Sequence, residues 1–438
     1  MDKFDIGLLM FAGALALIAL RMTVAGAMLL AGMVGYAMIT GTSPLLSTLK
    51  SMTFSKFSSY QLSVLPFFLL MGEFATRGGM NTRLFAAARA WFGHWRGGLA
   101  VATIGGCAAF GAISGSSLAT AATMSKVALP EMRKMGYAPS LATGTLAAGG
   151  TLGILIPPSV ILVIYAIYTE QSVGLLFVAA VLPGIIAVIQ YMTVVVIWAI
   201  LRPGAAPSVP RASWRERFET TRSVWPIMIV FATVVLGIYL GWFSPTDGAA
   251  VGAFATLLLA IFTGGLRWEG FVQSVISAGI TSAMMFLIMF AAELFSAALA
   301  LSQLPNALAG KIAALPLPPV AILLCLLLIY IVLGCFMESL AMVLLTLPVF
   351  VPVMMGLDFG LPSDTVLIWF GILVLMSVET GMISPPFGMN LFLINSIARD
   401  VPIQQTYLGV LGFYVMDIIR ILLVLFVPGL ALWLTGLL

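Results

Sequence analysis

Charge is what this 438-residue chain has least of: 8% of its residues are Asp, Glu, Lys or Arg, while 61% are hydrophobic. Soluble domains carry roughly 25% charged residues, so the deficit excludes an ordinary soluble protein. Apolar runs of ~20 residues, the length that crosses a bilayer, recur almost to the last residue. They leave no room for a soluble catalytic or binding domain of about 100 residues. Histidine occurs once, at His94, and the three cysteines (Cys107, Cys325, Cys335) are scattered through apolar segments without metal-ligand spacing, so they read as packing and interfacial residues. No Ser/Lys or paired-Asp constellation is apparent, which speaks against an intramembrane enzyme. A G-x-x-x-x-G-K-[ST] phosphate loop is also missing, so ATP is not the expected energy source. The formal charge of +4 does not imply nucleic acid. The sequence describes a polytopic all-α membrane protein whose work is done within the lipid bilayer.

The few charges orient it. Lys and Arg accumulate in cytoplasmic loops. An outside N-terminus places Arg21, Arg77, Arg83, Arg89, Arg96, Arg133, Lys134, the Arg202 to Arg222 stretch, Arg267 and Arg399 inside, leaving Lys3, Lys50, Lys56 and Lys311 outside. The expected topology is therefore N-out and C-out. The first run, Ile6 to Leu20, follows Met1-Asp2-Lys3-Phe4-Asp5, which is not net positive as a signal peptide requires, and is read as a mature helix. Trp91, Trp95, Trp214 and Trp242 fit an interfacial belt.

Against this background two segments stand out, Gly150-Thr151-Leu152-Gly153-Ile154-Leu155-Ile156-Pro157-Pro158-Ser159 and Glu379-Thr380-Gly381-Met382-Ile383-Ser384-Pro385-Pro386-Phe387-Gly388. Gly and Pro break helices, and hydrocarbon cannot satisfy the freed backbone groups, so each break must be buried in protein or line a polar cavity. Paired breaks in corresponding places point to a transport site. The correspondence is collinear: Glu73 with Glu293, Gly111 with Gly334, Pro130 with Pro352 and Pro157 with Pro385 are offset by 220, 223, 222 and 228 residues. The expected organisation is a first repeat over 1–201, a cytoplasmic linker over 202–223 and a second repeat over 224–438.

Helices are expected near 5–20, 24–40, 60–77, 80–96 and 173–201 of the first half. Helical hairpins are expected over 98–134 and 318–356, and interrupted helices over 141–168 and 363–398. The hairpin arms are short for spanning and read as re-entrant. Five crossings per half is an odd number, so the second repeat runs inverted to the first.

The first hairpin tip, Gly111-Ala112-Ile113-Ser114-Gly115-Ser116-Ser117-Leu118-Ala119-Thr120-Ala121, offers hydroxyls and carbonyls suited to Na⁺, followed by a helix N-terminus that favours an anion. Close packing of small residues is the plainer reading of the same letters. Lys126, on the second arm, either meets a substrate carboxylate or snorkels towards Arg133 and Lys134. In the second tip Glu338 has three available roles: neutralising Na⁺, carrying a proton, or capping the next helix. Glu379 stands between an ion-site and a structural role; Asn390 and Asn395 cross-link helices or face a cavity. Glu73 and Glu293 read as helix-joining or helix-ending residues, and Asp417 with Arg420, at i, i+3, as an ion pair.

The combination of Ser114-Gly115-Ser116-Ser117-Leu118-Ala119-Thr120-Ala121, Pro130-Glu131-Met132, Gly153-Ile154-Leu155-Ile156-Pro157-Pro158-Ser159 and Ser384-Pro385-Pro386-Phe387-Gly388-Met389-Asn390 resembles the large membrane subunit of tripartite ATP-independent periplasmic (TRAP) transporters over essentially the whole chain. The resemblance implies Na⁺-driven, elevator-type uptake of a carboxylate across the bacterial inner membrane. It also implies two partners, a periplasmic solute-binding protein and a small membrane subunit of about four helices. By position it implies ion sites around Ser114, Gly115, Gly150, Thr151 and Gly153, and around Gly334, Met337, Glu379, Thr380 and Gly381. Substrate is implied near Ser116, Ser117, Thr120 and Lys126. Two rivals remain, a stand-alone elevator-type carboxylate symporter and, more remotely, an intramembrane enzyme; a channel is disfavoured because two broken repeats suit alternating access.

Overall fold

A computed structural model, describing residues 2–437, is helical with no strand among those residues. The first half contains α1 (Lys3–Ala19), α2 (Val24–Thr40), α3 (Thr42–Phe57), α4 (Val64–Arg77), α5 (Met80–Phe92), α6 (Gly98–Ser114), α7 (Ser117–Lys134), α8 (Pro139–Leu155), α9 (Val160–Thr169) and α10 (Val173–Leu201). The second contains α11 (Trp214–Tyr239), α12 (Pro245–Phe262), α13 (Trp268–Ser302), α14 (Leu304–Ala313), α15 (Pro319–Gly334), α16 (Ser339–Met355), α17 (Ser363–Met382), α18 (Met389–Ile397) and α19 (Ile403–Phe426).

Local chemistry sets many of the starts. Ser or Thr precedes α2, α7, α9, α10, α11 and α12, and in each case its side-chain oxygen accepts a hydrogen bond from a first-turn amide. Such caps satisfy amides that have no partner within the helix. At α12 the cap is reciprocal, since Asp247 reaches back to the Ser244 amide.

Two details depart from the sequence-based expectation. Residues 42–57, outside the helices expected near 24–40 and 60–77, form α3; its Ser, Thr and Lys content hides the helix, and it is joined to α4 by a 3-10 turn at Tyr60–Ser63. The second-half counterpart is the continuous α13, so one repeat breaks where the other does not. The stretch read as a linker is also partly helical, because α11 begins at Trp214. The rest of it is tied down: Val209 N–H donates to Gly93 O (3.1 Å) and Ala138 N–H to Ala205 O (2.9 Å). Arg217 is buried against Trp91 and Trp214, its guanidinium 5.4 and 5.2 Å from their rings, and donates to Ala90 O.

Among the described residues, seven helical stretches are long and apolar enough to cross a membrane, counting α8 to α9 as one. Only two of them, α8–α9 and α10, belong to the first half, where α1 and α2 are each 17 residues long.

The chain forms two compact units. The first comprises the chain up to Ser63, Gly279–Ile329 and Glu338–Leu367. In it α1 and α2 pack against the C-terminal part of α13 and against α14: Phe11 lies 6.3 Å from Phe295, and Gly32 lies close to the Phe295 backbone. Lys56 of α3 pairs with Glu293 at 2.7 Å. The second unit comprises Val64–Ala278, Tyr330–Met337 and the chain from Ile368. Here α11 and α12 pack against α4 and α5. The leading helix pair of each half therefore packs on later helices of the opposite half, a reciprocal exchange that suits a duplicated chain. At the centre of this second unit α8 is surrounded by α6, α7, α10, α18 and α19, and both α8–α9 and α17 are buried along nearly their whole length.

Candidate functional site

Both breaks, the first tip and the part of the second tip up to Met337 lie within the second unit. α8 ends at Leu155, Pro157 and Pro158 join through a cis peptide, and Ser159 caps α9 by accepting from Leu162 N–H at 3.4 Å. α17 ends at Met382, Pro385 and Pro386 are likewise cis, and α18 begins at Met389. Prolines have no N–H, so neither break can continue the ladder of the helix before it.

Each break holds a hairpin tip through the same pair of glycines. Gly111, in the last turn of α6, lies against Gly153, where an added Cβ would stand 2.6 Å from the Gly153 Cα. On Gly153 an added Cβ would stand 2.5 Å from Thr120 Oγ1 and 2.7 Å from Ser116 O. At the second tip Gly334 meets Gly381, and added Cβ atoms would come to 3.0 and 2.7 Å from the partner Cα. These are positions where only a hydrogen fits. Gly115, at the first tip, has φ +59°, the left-handed region that glycine enters freely, and lies near Pro158 O.

Hydroxyls fill the first clasp. Ser114 Oγ and Thr120 Oγ1 are 2.8 Å apart and buried, and Ser116 caps α7. Ser117 Oγ accepts from Asn390 Nδ2 at 2.8 Å; the same amide nitrogen donates to Ala147 O at 3.1 Å. Asn390 thus ties the start of α18 to α7 and α8, the cross-link its place after the Pro-Pro pair allowed. Its Oδ1 is buried without a hydrogen-bond partner. Gly150 sits beside this contact, an added Cβ falling 2.5 Å from Ala121 Cβ and 3.2 Å from Asn390 Nδ2. Lys126 is not brought to this cluster. It lies six residues beyond the buried Thr120, about 9 Å further along α7 and about 120° around it, is exposed, and belongs to none of the ion pairs among the described residues.

The second clasp is bonded differently. Thr380 Oγ1 donates to Met376 O at 2.8 Å, and the Thr380 carbonyl accepts from Ser384 Oγ at 2.8 Å and Ile383 N–H at 3.3 Å. Gly381 O accepts from Ser384 N–H at 3.1 Å. Met337 is buried, its N–H on Leu333 O. Glu338 is half-buried and occupies the N-cap position of α16, at the positive end of that helix.

Glu379 is fully buried and its Oε2 accepts from Arg420 Nη2 at 3.0 Å. Arg420 also holds Asp417 at 2.9 Å, and Tyr191 Oη donates to both Asp417 oxygens at 2.8 and 2.9 Å. Spacing found the Asp417 and Arg420 pair. It did not find Glu379 and Tyr191 as further members, because each comes from a distant helix and no local pattern marks the contact. Thr151, buried, donates to Ala148 O at 2.7 Å and lies 3.3 Å from Tyr191 Oη. Glu73 pairs within its own helix, with Arg77 at 3.5 Å.

Comparison with known proteins places this architecture. The family model described as "Tripartite ATP-independent periplasmic transporter, DctM component" matches residues 11–430. The C4-dicarboxylate TRAP transporter large permease protein DctM of Pseudomonas aeruginosa is 36% identical over 374 residues, covering 85% of this chain and 86% of that one. The ectoine TRAP transporter large permease protein TeaC of Halomonas elongata is 31% identical, covering 93% of each. Among solved structures, the YdaH transporter of Alcanivorax borkumensis shares the fold with a TM-score of 0.59 at 16% identity, over 89% of both chains. Family match, sequence relatives and helical architecture agree: the chain belongs to the DctM component family of tripartite ATP-independent periplasmic transporters, as a multi-pass large permease for solute uptake.

Proposed function

We propose that this chain is the permease of a Na⁺-coupled uptake system for a carboxylate solute in the bacterial inner membrane, with each broken helix supplying one ion site. The observation that carries this reading is the duplicated clasp. A helix end leaves its last carbonyls without intrahelical partners, and a Pro-Pro break withholds the amides that would otherwise answer them. Around the first break the end of α8 lies beside Ser114, Gly115, Gly150, Thr151 and Gly153, and the ion site around the second comprises Gly334, Met337, Glu379, Thr380 and Gly381, where the Thr380 and Gly381 carbonyls keep a second lone pair beyond their local bonds to Ile383 and Ser384. Oxygen ligands of this kind suit a hard monovalent cation. Glu338, at a helix N-terminus by the second tip, adds negative charge for an ion or a proton.

Solute binds at Ser116, Ser117 and Thr120, where the N-terminus of α7 favours an anion. Lys126 draws the carboxylate along the hairpin from its exposed position. The C4-dicarboxylate relative from Pseudomonas aeruginosa supports a carboxylate, and the ectoine relative shows that solute choice varies among related permeases. Delivery is by a periplasmic binding protein, a small four-helix membrane subunit completes the permease, and the hairpins with their broken helices move as an elevator.

Uptake by proteoliposomes containing this chain, the small subunit and a candidate binding protein, with an imposed Na⁺ gradient, tests the proposal. Saturable accumulation is expected only with the gradient and all three proteins. Uptake that ignores Na⁺ rejects the coupling, and full uptake by this chain alone makes it a stand-alone symporter.

A further inference from the structure

Two carboxylates and one guanidinium, Glu379, Asp417 and Arg420, lie fully buried within the second unit, and tertiary stability alone is a poor reason for them. Buried ion pairs recover their desolvation cost only with excellent geometry, and apolar replacements are often no less stable. This cluster is also incompletely satisfied: Arg420 Nε and Nη1 have no hydrogen-bond partner. Such orphaned groups call for an explanation beyond packing.

The positions of its ends supply one. Thr151 and Glu379 each lie six residues before the first proline of their Pro-Pro pair, so they are the same point of the two broken helices. The residues between them come from the helices that follow the breaks, Tyr191 from α10 and Arg420 from α19, and their offset of 229 matches the 228 between Pro157 and Pro385 to within one residue. From Thr151 the chain of contacts runs to Tyr191 (3.3 Å), to Asp417 (2.8 Å), to Arg420 (2.9 Å) and to Glu379 (3.0 Å). The guanidinium also lies 5.7 Å from the Tyr191 ring centroid.

Proton bookkeeping gives the chain a direction. An ionised Asp417 can only accept, so the Tyr191 proton goes to it. The 3.3 Å contact can then be bonded only by the Thr151 proton, for which Ala148 O at 2.7 Å and the Glu379 carboxylate compete. A change in how Arg420 and Asp417 sit therefore reaches Thr151 by two routes, through the Tyr191 phenol and through Glu379, whose carboxylate itself hydrogen-bonds the Thr151 side chain.

We propose that Tyr191, Asp417 and Arg420 form a strut joining equivalent points of the two broken helices, with Tyr191 and Arg420 as positioning residues that make the two ion sites act together. The cooperative part of this inference rests on the Na⁺-coupled reading above; the mechanical part does not.

Tyr191→Phe removes one hydroxyl and keeps the ring. In reconstituted uptake it is expected to raise the half-saturating Na⁺ concentration about 5-fold or more, the lower end of usual coupling between sites, and to flatten the Na⁺ curve, while maximal uptake is largely kept. A uniform fall in uptake with an unchanged Na⁺ curve marks a merely structural role and overturns the proposal, as does wild-type behaviour.

Amide hydrogen exchange on the purified chain provides a readout that does not depend on Na⁺ coupling. Arg420→Lys keeps the charge but loses the two-sided fork. It is expected to raise exchange at residues 150–156 as well as at 379–384, although of these residues Arg420 hydrogen-bonds Glu379. A rise confined to 379–384 overturns the strut even if Na⁺ coupling holds. Wild-type uptake indifferent to Na⁺, with exchange rising at both segments, rejects the ion-site reading and leaves the mechanical strut supported.

Discussion

The two clasps share a skeleton and differ in what fills it. In both, a glycine near a hairpin tip lies against a glycine just before a Pro-Pro break, Gly111 on Gly153 and Gly334 on Gly381. The first is lined by hydroxyls, with Ser114 on Thr120 and Ser117 held by Asn390. Beside the second, the place of Thr151 is taken by Glu379, whose charge requires Arg420. Duplication keeps the steric element, because backbone contact tolerates no side chain, and lets the polar element diverge. The difference teaches that the glycines carry the architecture and the neighbouring side chains carry the specialisation.

The sharpest way to break the comparison is to fill the shared skeleton. Gly381→Ala and Gly153→Ala each place a methyl group below 3 Å from atoms that cannot swing away, Gly334 Cα and Ile331 O in one case and Ser116 O in the other. Overpacking of this kind costs about 1–3 kcal/mol, and uptake is expected to fall by more than about tenfold for both, since binding geometry off by 1 Å can cost 100-fold. Gly310→Ala, where nothing lies within 4 Å, is the control and is expected to leave uptake and melting temperature unchanged. Equal tolerance at all three positions contradicts the shared-skeleton account.

Next come the parts that differ. Arg420→Met leaves two buried carboxylates unpaired and is expected to destabilise the protein by about 3–5 kcal/mol, read as a lowered thermal midpoint in detergent. Adding Glu379→Gln to it is expected to recover part of the loss. On the first side, Asn390→Ala removes the bonds to Ser117 and Ala147, and a smaller loss of about 1–3 kcal/mol is expected from stranding their partners. If Asn390→Ala destabilises more than Arg420→Met, the assignment of the heavier electrostatic burden to the second side is wrong.

Lys126→Ala is expected to have the smallest effect on stability, because the side chain is exposed and belongs to none of the ion pairs among the described residues. Its effect belongs to uptake, as a raised KM for an anionic solute, with Arg giving only a partial rescue. Unchanged transport kinetics remove Lys126 from the solute path.

Much of this was legible in the letters. Glycine and proline are the residues whose backbone rules are strictest, so Gly111, Gly153, Gly334, Gly381 and the two Pro-Pro pairs announced both the breaks and the repeat before any coordinates. Two kinds of feature were not legible. α3 was hidden because Ser, Thr and Lys interrupt its apolar periodicity, and its helical state depends on tertiary neighbours such as Leu294 and Phe290. Glu379 with Arg420 was hidden because the partners are 41 residues apart on different helices, whereas Asp417 with Arg420 sits at i, i+3 and could be read directly. Thr151 and Tyr191 carry no charge, so nothing in their own spacing marked them as neighbours of that cluster.

The central claim is that the duplicated clasp exists to couple solute to Na⁺. The most direct measurement is Na⁺ entry itself, followed in sealed proteoliposomes holding this chain, the small subunit and solute-loaded binding protein. Na⁺ influx that begins on adding the loaded binding protein, rises in fixed proportion to solute uptake and disappears in Gly153→Ala and Gly381→Ala alike is the predicted result. Solute uptake that proceeds at full rate with Na⁺ replaced by choline, and with no Na⁺ movement, would contradict it.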